Sequence, residues 1–177
     1  VIQEAQHGLE QIARIVDSTR RLSRHASPEM QPIDLHRILD DVLLITGLGV
    51  EGGVRIESAL EPGLPCVQGA AESLAQVLLN LLINARQAAS PRGLVRVETR
   101  STAETVEIAV SDDGAGIPAE LHDRVFDPFF TTKGPEEGTG LGLAISHEIA
   151  TVHGGSLEIE PGPLPGACFR LRLPRPA

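Results

Sequence analysis

Asn80 and Asn84 stand four residues apart in a run that is otherwise rich in Val, Leu and Ile. On a helix that spacing puts both amides on one face. Asparagine is a poor choice for a helix interior, so a pair of them on one face of an apolar helix marks a site. The amide oxygen is a hard, neutral ligand, suited to a cation such as Mg2+ that also holds phosphate oxygens. Further along, the run Asp112-Asp113-Gly114-Ala115-Gly116-Ile117 closes an apolar stretch with an acid and a glycine turn. Gly114 and Gly116 let the backbone turn sharply and approach a flat ring. The Asp112 carboxylate there can accept from an exocyclic amino group, as on adenine. Gly138-Thr139-Gly140-Leu141-Gly142-Leu143 then leads into an apolar helix. Bare backbone amides at a helix N-terminus suit a polyphosphate. The spacing is not a dinucleotide-binding fingerprint, and the chain has no Walker A motif. Between these blocks lies Phe126-Asp127-Pro128-Phe129-Phe130-Thr131-Thr132-Lys133, with three of the four Phe in the chain. Its phenylalanines are expected to anchor a mobile lid. Lys133 is a candidate for offsetting charge on a γ-phosphate, and Arg86, two residues past Asn84, for reaching phosphates as well. Together these residue types describe a pocket for a nucleotide and its metal.

The elements that must position them can be read from periodicity and breakers. Ile2 to Arg24 form one amphipathic stretch with Leu9, Ile12, Val16, Thr19 and Leu22 at helical spacing. Ser27-Pro28-Glu29-Met30-Gln31-Pro32 is a breaker-rich linker, which sets a boundary between residues 1–27 and 28–177. Asp34 is placed to cap a helix to about Thr46, with Leu35, Ile38, Leu39, Val42 and Ile45 on its buried face. Strands are expected over Val54 to Leu60 and near Cys66 to Gln68, and a strongly apolar helix over Ala71 to Ala89. Leu94 to Arg100 and Thr105 to Ser111 alternate like an antiparallel pair. A helical turn near Pro118 to Asp123, a helix over Gly140 to Val152, and a hairpin of Ser156 to Glu160 with Ala167 to Leu173 complete the series. Strands and helices segregate, which argues α+β: a mixed, mostly antiparallel sheet with helices on one face, preceded by one long helix.

Composition narrows the function classes. The chain has 177 residues, 41% of them hydrophobic and only 2% aromatic, so its core must be aliphatic. Net charge is −9 and no Lys/Arg stripe is present, which argues against nucleic acid as a partner. No apolar run approaches the ~18 residues of a membrane span. Cys66 and Cys168 fit no metal spacing, and two reduced, buried thiols in a cytoplasmic protein are expected. The chain begins in mid-helix without a Met, so it is expected to be a piece of a longer parent, for which a membrane anchor stays open. His153-Gly154-Gly155 reads as the capped end of the last helix.

In order and spacing, these blocks resemble the N, G1, F and G2 boxes of the sensor histidine kinase ATP-binding domain, within the superfamily sharing the Bergerat ATP fold. The resemblance covers about residues 30 to 174 and is nearest a nitrogen-regulator-like subgroup, through the Asn84-Ala85-Arg86-Gln87-Ala88 form and a short lid. It implies a two-layer sandwich and ATP with Mg2+ as cofactors. Asn84 becomes the metal ligand, with Asn80 supporting the phosphate or metal shell. Asn80, Asn84, Arg86, Asp112, Gly114, Gly116, Ile117, Phe130, Thr131, Thr132, Lys133, Gly138, Thr139, Gly140, Leu141, Gly142 and Leu143 become the ATP contacts. Hydrolytic relatives carry a glutamate where this chain has Asn80, which points to transfer over hydrolysis. The leading stretch resembles the second helix of a dimerisation and histidine-phosphotransfer hairpin. The acceptor-histidine motif is missing around His7, so the acceptor is expected upstream of Val1, and this fragment alone is not expected to autophosphorylate. A response regulator receiver domain and the protein's own dimerisation helices, in a homodimer, are the implied partners. The fragment itself is expected to make no membrane contact. The competing readings are a nucleotide-binding or dimerisation module without transfer, and an anti-sigma-type serine kinase.

Overall fold

The computed structural model describes residues 29–47, 53–89, 91–134 and 139–176. The leading amphipathic stretch and Gly138 lie outside them. Helix α1 spans Leu35–Gly47, α2 Ala71–Ala89 and α3 Gly142–Val152. The strands are β1 Gln31–Ile33, β2 Arg55–Ala59, β3 Val67–Gly69, β4 Leu94–Ser101, β5 Thr105–Asp112, β6 Ser156–Ile159 and β7 Cys168–Pro174. Single 3-10 turns, Ala119–Leu121 and Arg124–Phe126, lie between β5 and α3. Five strands form one sheet in the order β2-β4-β5-β7-β6, with β2 parallel to β4 and the remaining pairs antiparallel. The mixed, mostly antiparallel α+β sandwich expected from the sequence is what the chain adopts.

The core forms where the apolar face of α2 meets the sheet. Leu74, Val77, Leu78, Leu81 and Leu82 are fully buried against Val106, Ile108 and Val110 of β5 and Leu171 and Leu173 of β7. Burying one such side chain contributes about 1.5–3 kcal/mol, ample to hold a helix whose other face carries two asparagines. Helix α1 is capped by Asp34, whose Oδ1 accepts the His36 amide at 3.0 Å. The end of α3 is fixed by His153. Its Nδ1 donates to the Ile149 carbonyl at 2.7 Å, and its Nε2 accepts the Ala70 amide at 3.0 Å. One imidazole thus ties the last helix to the residue just before α2.

Four expectations change. Gln31 and Pro32 are not linker: with Ile33 they form β1, antiparallel to β3. A two-stranded ribbon tolerates Pro32 because proline's missing N–H is harmful only in a central strand. Ile45 is exposed, and Thr46 takes the buried place, its Oγ1 donating to the Val42 carbonyl at 2.8 Å. Phe129 is 67% exposed, so Phe126 and Phe130 anchor the segment without it. Both cysteines are free, but only Cys168 is buried; Cys66 is exposed.

The sheet face away from the helices carries an ion-pair network. Glu107 is buried on β5 and receives Arg100 at 2.7 Å, Arg170 at 3.3 Å and Arg172 at 3.4 Å. Glu160 receives Arg170 at 2.6 Å and also pairs with Arg172. Burial alone would raise the Glu107 pKa, but the Arg100 hydrogen bond and the Arg100 and Arg172 charges outweigh it and hold the carboxyl below its usual 4.5. Glu160 is likewise held low by Arg172 and Arg170 against its own burial. Depressed folded values mean stability that is present above the ordinary value and lost as pH falls through the folded one. Urea midpoints measured between about pH 7 and pH 3 should fall with acid, and Arg172→Gln should shrink that fall. An unchanged acid limb in the variant would refute this role for the network.

Candidate functional site

A cavity of about 490 Å3 opens between α2, the turn after β5, the segment 125–133 and the start of α3. Volumes of roughly 300–1,000 Å3 are usual for small-molecule sites. Its lining mixes apolar side chains, Ile83, Ala88, Ile117, Leu121, Val125, Leu143 and Phe169, with polar ones, Asn80, Asn84, Gln87, Thr131, Thr132, Lys133 and Thr139. Such a mixture suits a ligand with both a flat apolar part and a charged part.

Asp112 ends β5 and lines the cavity although it is only 2% exposed. Its Oδ1 accepts the Gly114 amide at 2.9 Å and the Ala167 amide at 3.3 Å. Burial pushes this carboxyl above its usual 3.8, the two backbone amides pull the other way, and the neighbouring Asp113 charge adds to the rise. Both amide bonds go to Oδ1, and among the described residues none goes to Oδ2. The turn can close on the acid only because position 166 is glycine, since a Cβ there would sit 2.2 Å from Asp112 Oδ1. Asp113 is structural, its Oδ1 accepting the Leu94 amide at 2.8 Å.

Asn80 uses its Nδ2 to bridge helices, donating to the Gly142 carbonyl and to Ser146 Oγ, both at 3.2 Å. Asn84, one turn on, has its Oδ1 3.4 Å from Lys133 Nζ. Lys133 also donates to Gln87 Oε1. Phe126 packs on His147 at 5.0 Å and edge-on to Phe169 at 6.4 Å, while the Arg124 guanidinium lies 4.7 Å from the centre of the Phe130 ring. Gly140 lets the segment 126–133 pack closely. Its φ is +67°, and a Cβ on it would fall 2.4 Å from the Phe129 carbonyl carbon. Through that close approach the Phe129 amide donates to the Gly140 carbonyl at 2.9 Å.

The structure therefore gathers Asn80, Asn84, Asp112, Gly116, Ile117, Phe130, Thr131, Thr132, Lys133, Thr139, Gly140, Gly142 and Leu143 around one cavity. Gly114 and Leu141 stand behind the lining, Gly114 bonded to Asp112 and Leu141 buried in the core. Arg86 does not line the cavity; its guanidinium donates to the Thr46 carbonyl at the end of α1. The lining also holds Ile83, Gln87, Ala88, Ala115, Pro118, Leu121, Val125, Ala167 and Phe169, which were not among the expected contacts. The first two were within reach, because positions 80, 83, 84 and 87 form one helical face.

The donor set suits a metal held jointly with phosphates. Among the described residues no group of three His, Cys, Asp or Glu could hold a metal unaided. A neutral amide oxygen such as Asn84 Oδ1 suits a cation that keeps phosphate and water as its other ligands.

Comparison with known proteins defines the class. Residues 69–177 match the family described as histidine kinase-, DNA gyrase B- and HSP90-like ATPase. The chain belongs to that family. It is 38% identical over 168 residues to the signal transduction histidine-protein kinase AtoS of Escherichia coli K12, covering 94% of this chain and 27% of AtoS. It is 35% identical over 176 residues to the sensory histidine kinase/phosphatase NtrB of Rhodobacter capsulatus, covering 92% of this chain and 49% of NtrB. This chain thus spans from about a quarter to half the length of these relatives. Among solved structures, full-length ShkA in complex with AMPPNP superposes with a TM-score of 0.82 at 25% identity, over 99% of this chain and 37% of ShkA.

The raised carboxyl gives a stability test. An acid whose folded pKa is raised binds its proton more tightly when folded, so its ionisation subtracts stability as pH rises through that value. At neutral pH Asp112→Asn should leave the melting temperature of the ligand-free protein unchanged or higher, since the amide oxygen can still accept from Gly114 and Ala167. A melting temperature several degrees lower would show that the charge itself stabilises the turn.

Proposed function

We propose that this domain binds Mg-ATP and presents the γ-phosphoryl group to a histidine of its parent protein, for onward transfer to an aspartate of a response regulator receiver domain. The observation that carries this is the character of the cavity: among its described lining residues Asp112 is the only carboxylate, and it is bonded into the turn. Position 80, where a base could activate water, is an asparagine whose Nδ2 is committed to α3. A site without a general base suits transfer to a nucleophile that needs none. A neutral imidazole nitrogen is such a nucleophile.

In this reading Asp112 accepts from the adenine amino group against the apolar side chains of Ile117 and Phe169. Asn84 holds Mg2+, and the amides near Gly140 and Gly142 face the phosphates at the N-terminus of α3. ATP supplies the phosphoryl group: its terminal P–O bond breaks, a P–N bond to the acceptor imidazole forms, and ADP leaves. The chain's own part is to hold the nucleotide, screen the phosphate charge with Lys133 and exclude water under the segment 129–134. Residues 28–177 would be the catalytic unit, and residues 1–27 part of the dimerisation hairpin of a homodimer. The named kinase activities of AtoS and NtrB and the nucleotide analogue on ShkA support this reading.

The test is phosphoryl transfer from γ-labelled ATP with this chain alone and with the full-length parent. Acid-labile, base-stable label on a histidine of the parent, absent from the chain alone, is expected. Asn84→Ala should lower the transfer rate by at least about 100-fold, as loss of a group that fixes transition-state charge does. ATP binding with no label on either protein would leave a nucleotide-binding module and overturn the kinase reading.

A further inference from the structure

We propose that Gln87 is the positioning residue for Lys133, holding its ammonium beside Asn84 so that its charge bears on the phosphate chain of the nucleotide. The proposal rests on the Mg-ATP reading above and extends it to a residue outside the expected ATP contacts. Lys133 sits on the irregular segment after Phe130, on a flexible four-carbon stem. Its amide is held by Thr131 Oγ1 at 3.1 Å, which orders the backbone. Its side chain reaches α2. Nζ donates to Gln87 Oε1 and lies 3.4 Å from Asn84 Oδ1. These two residues are three apart, so they share one helical face, and both line the cavity with Lys133.

Glutamine is the residue type this task needs. A glutamate at 87 would grip the ammonium harder but cancel its charge and repel phosphate. A lysine at 87 would drive Lys133 away. A leucine would take that acceptor away. A neutral amide oxygen localises a cation and leaves its full charge available to an anion. Because the same ammonium lies beside Asn84 Oδ1, lysine and metal would meet the same end of the nucleotide. Gln87 then sets selectivity for the phosphate tail and not for the base, and it acts only through Lys133.

The experiment is a double-mutant cycle read by calorimetric titration of this chain with ATP and with AMP, in Mg2+. Gln87→Leu should weaken ATP by about tenfold, the scale of a charge-assisted hydrogen bond, with AMP affinity unchanged. In the Lys133→Met background the same change should cost nothing. Gln87→Glu should also weaken ATP and spare AMP, a pattern that loss of packing would not give. Gln87 is exposed, so these variants are expected to melt as the wild type does. Equal losses for ATP and AMP, an equal cost of Gln87→Leu in both backgrounds, or no cost at all would overturn the positioning role while leaving ATP binding by the wild type intact. A wild type that bound neither nucleotide would instead overturn the Mg-ATP reading beneath it.

Discussion

A carboxylate kept inside the protein is the constraint on which the site depends. Asp112 closes the central strand β5, and burial there works against its charge. The molecule answers with backbone amides, from Gly114 after the strand and from Ala167 before β7. That arrangement demands glycine at 166, brings the start of β7 against the end of β5, and so sets the floor of the cavity. The Asp112 amide donates to the Ala167 carbonyl at 2.9 Å and its carbonyl accepts the Gly166 amide at 3.0 Å, locking the same corner a second time. A fold that optimised only its own stability would put an apolar residue there. Keeping an acid makes sense for a group that must meet a hydrogen-bond donor from outside, and the price is stability.

The rest of the site is a division of labour along α2. One face of the helix is aliphatic and buried in the sheet; the other presents Asn80, Ile83, Asn84 and Gln87. Rigidity on the first face is what makes placement on the second useful, because groups on a packed helix hold their geometry better than groups on loops. Asn80 spends its amide protons on α3 and so fixes the glycine-rich entry of that helix relative to Asn84. The segment 126–133 forms the other side of the site. It is tied down at Phe126 and Phe130 and through the Phe129–Gly140 contact, and it reaches α2 through Lys133.

Much of this was legible in the sequence because periodicity and breakers agreed. The apolar run ending before Ser90-Pro91 gives α2 at its observed limits, and the alternation around Thr102 gives the β4–β5 hairpin. What was not legible depended on long-range partners. Gln31-Pro32-Ile33 has no strand signature of its own and becomes one only against Val67–Gly69. Thr46 takes the buried place expected of Ile45 with its Oγ1 on the Val42 carbonyl, and its own carbonyl accepts Arg86, which does not line the cavity. Ala167 and Phe169 enter the site through the pairing of β7 with β5, which no local pattern encodes. Gln87 lay on a face already recognised, yet its role shows only once Lys133 is seen 46 residues away in sequence.

The central claim is that the Asp112 carboxylate reads the base through its amino group while Asn84 and Lys133 meet the phosphates. Titrating the chain with ATP and with inosine triphosphate, which carries a ring carbonyl in place of the amino group, separates the two halves. Wild type should prefer ATP by about tenfold or more, the scale of a hydrogen bond to a charged group. Asp112→Asn should remove most of that preference while keeping the fold. Equal affinity of the wild type for both nucleotides, or a preference that survives Asp112→Asn, would contradict the proposed role of the buried acid.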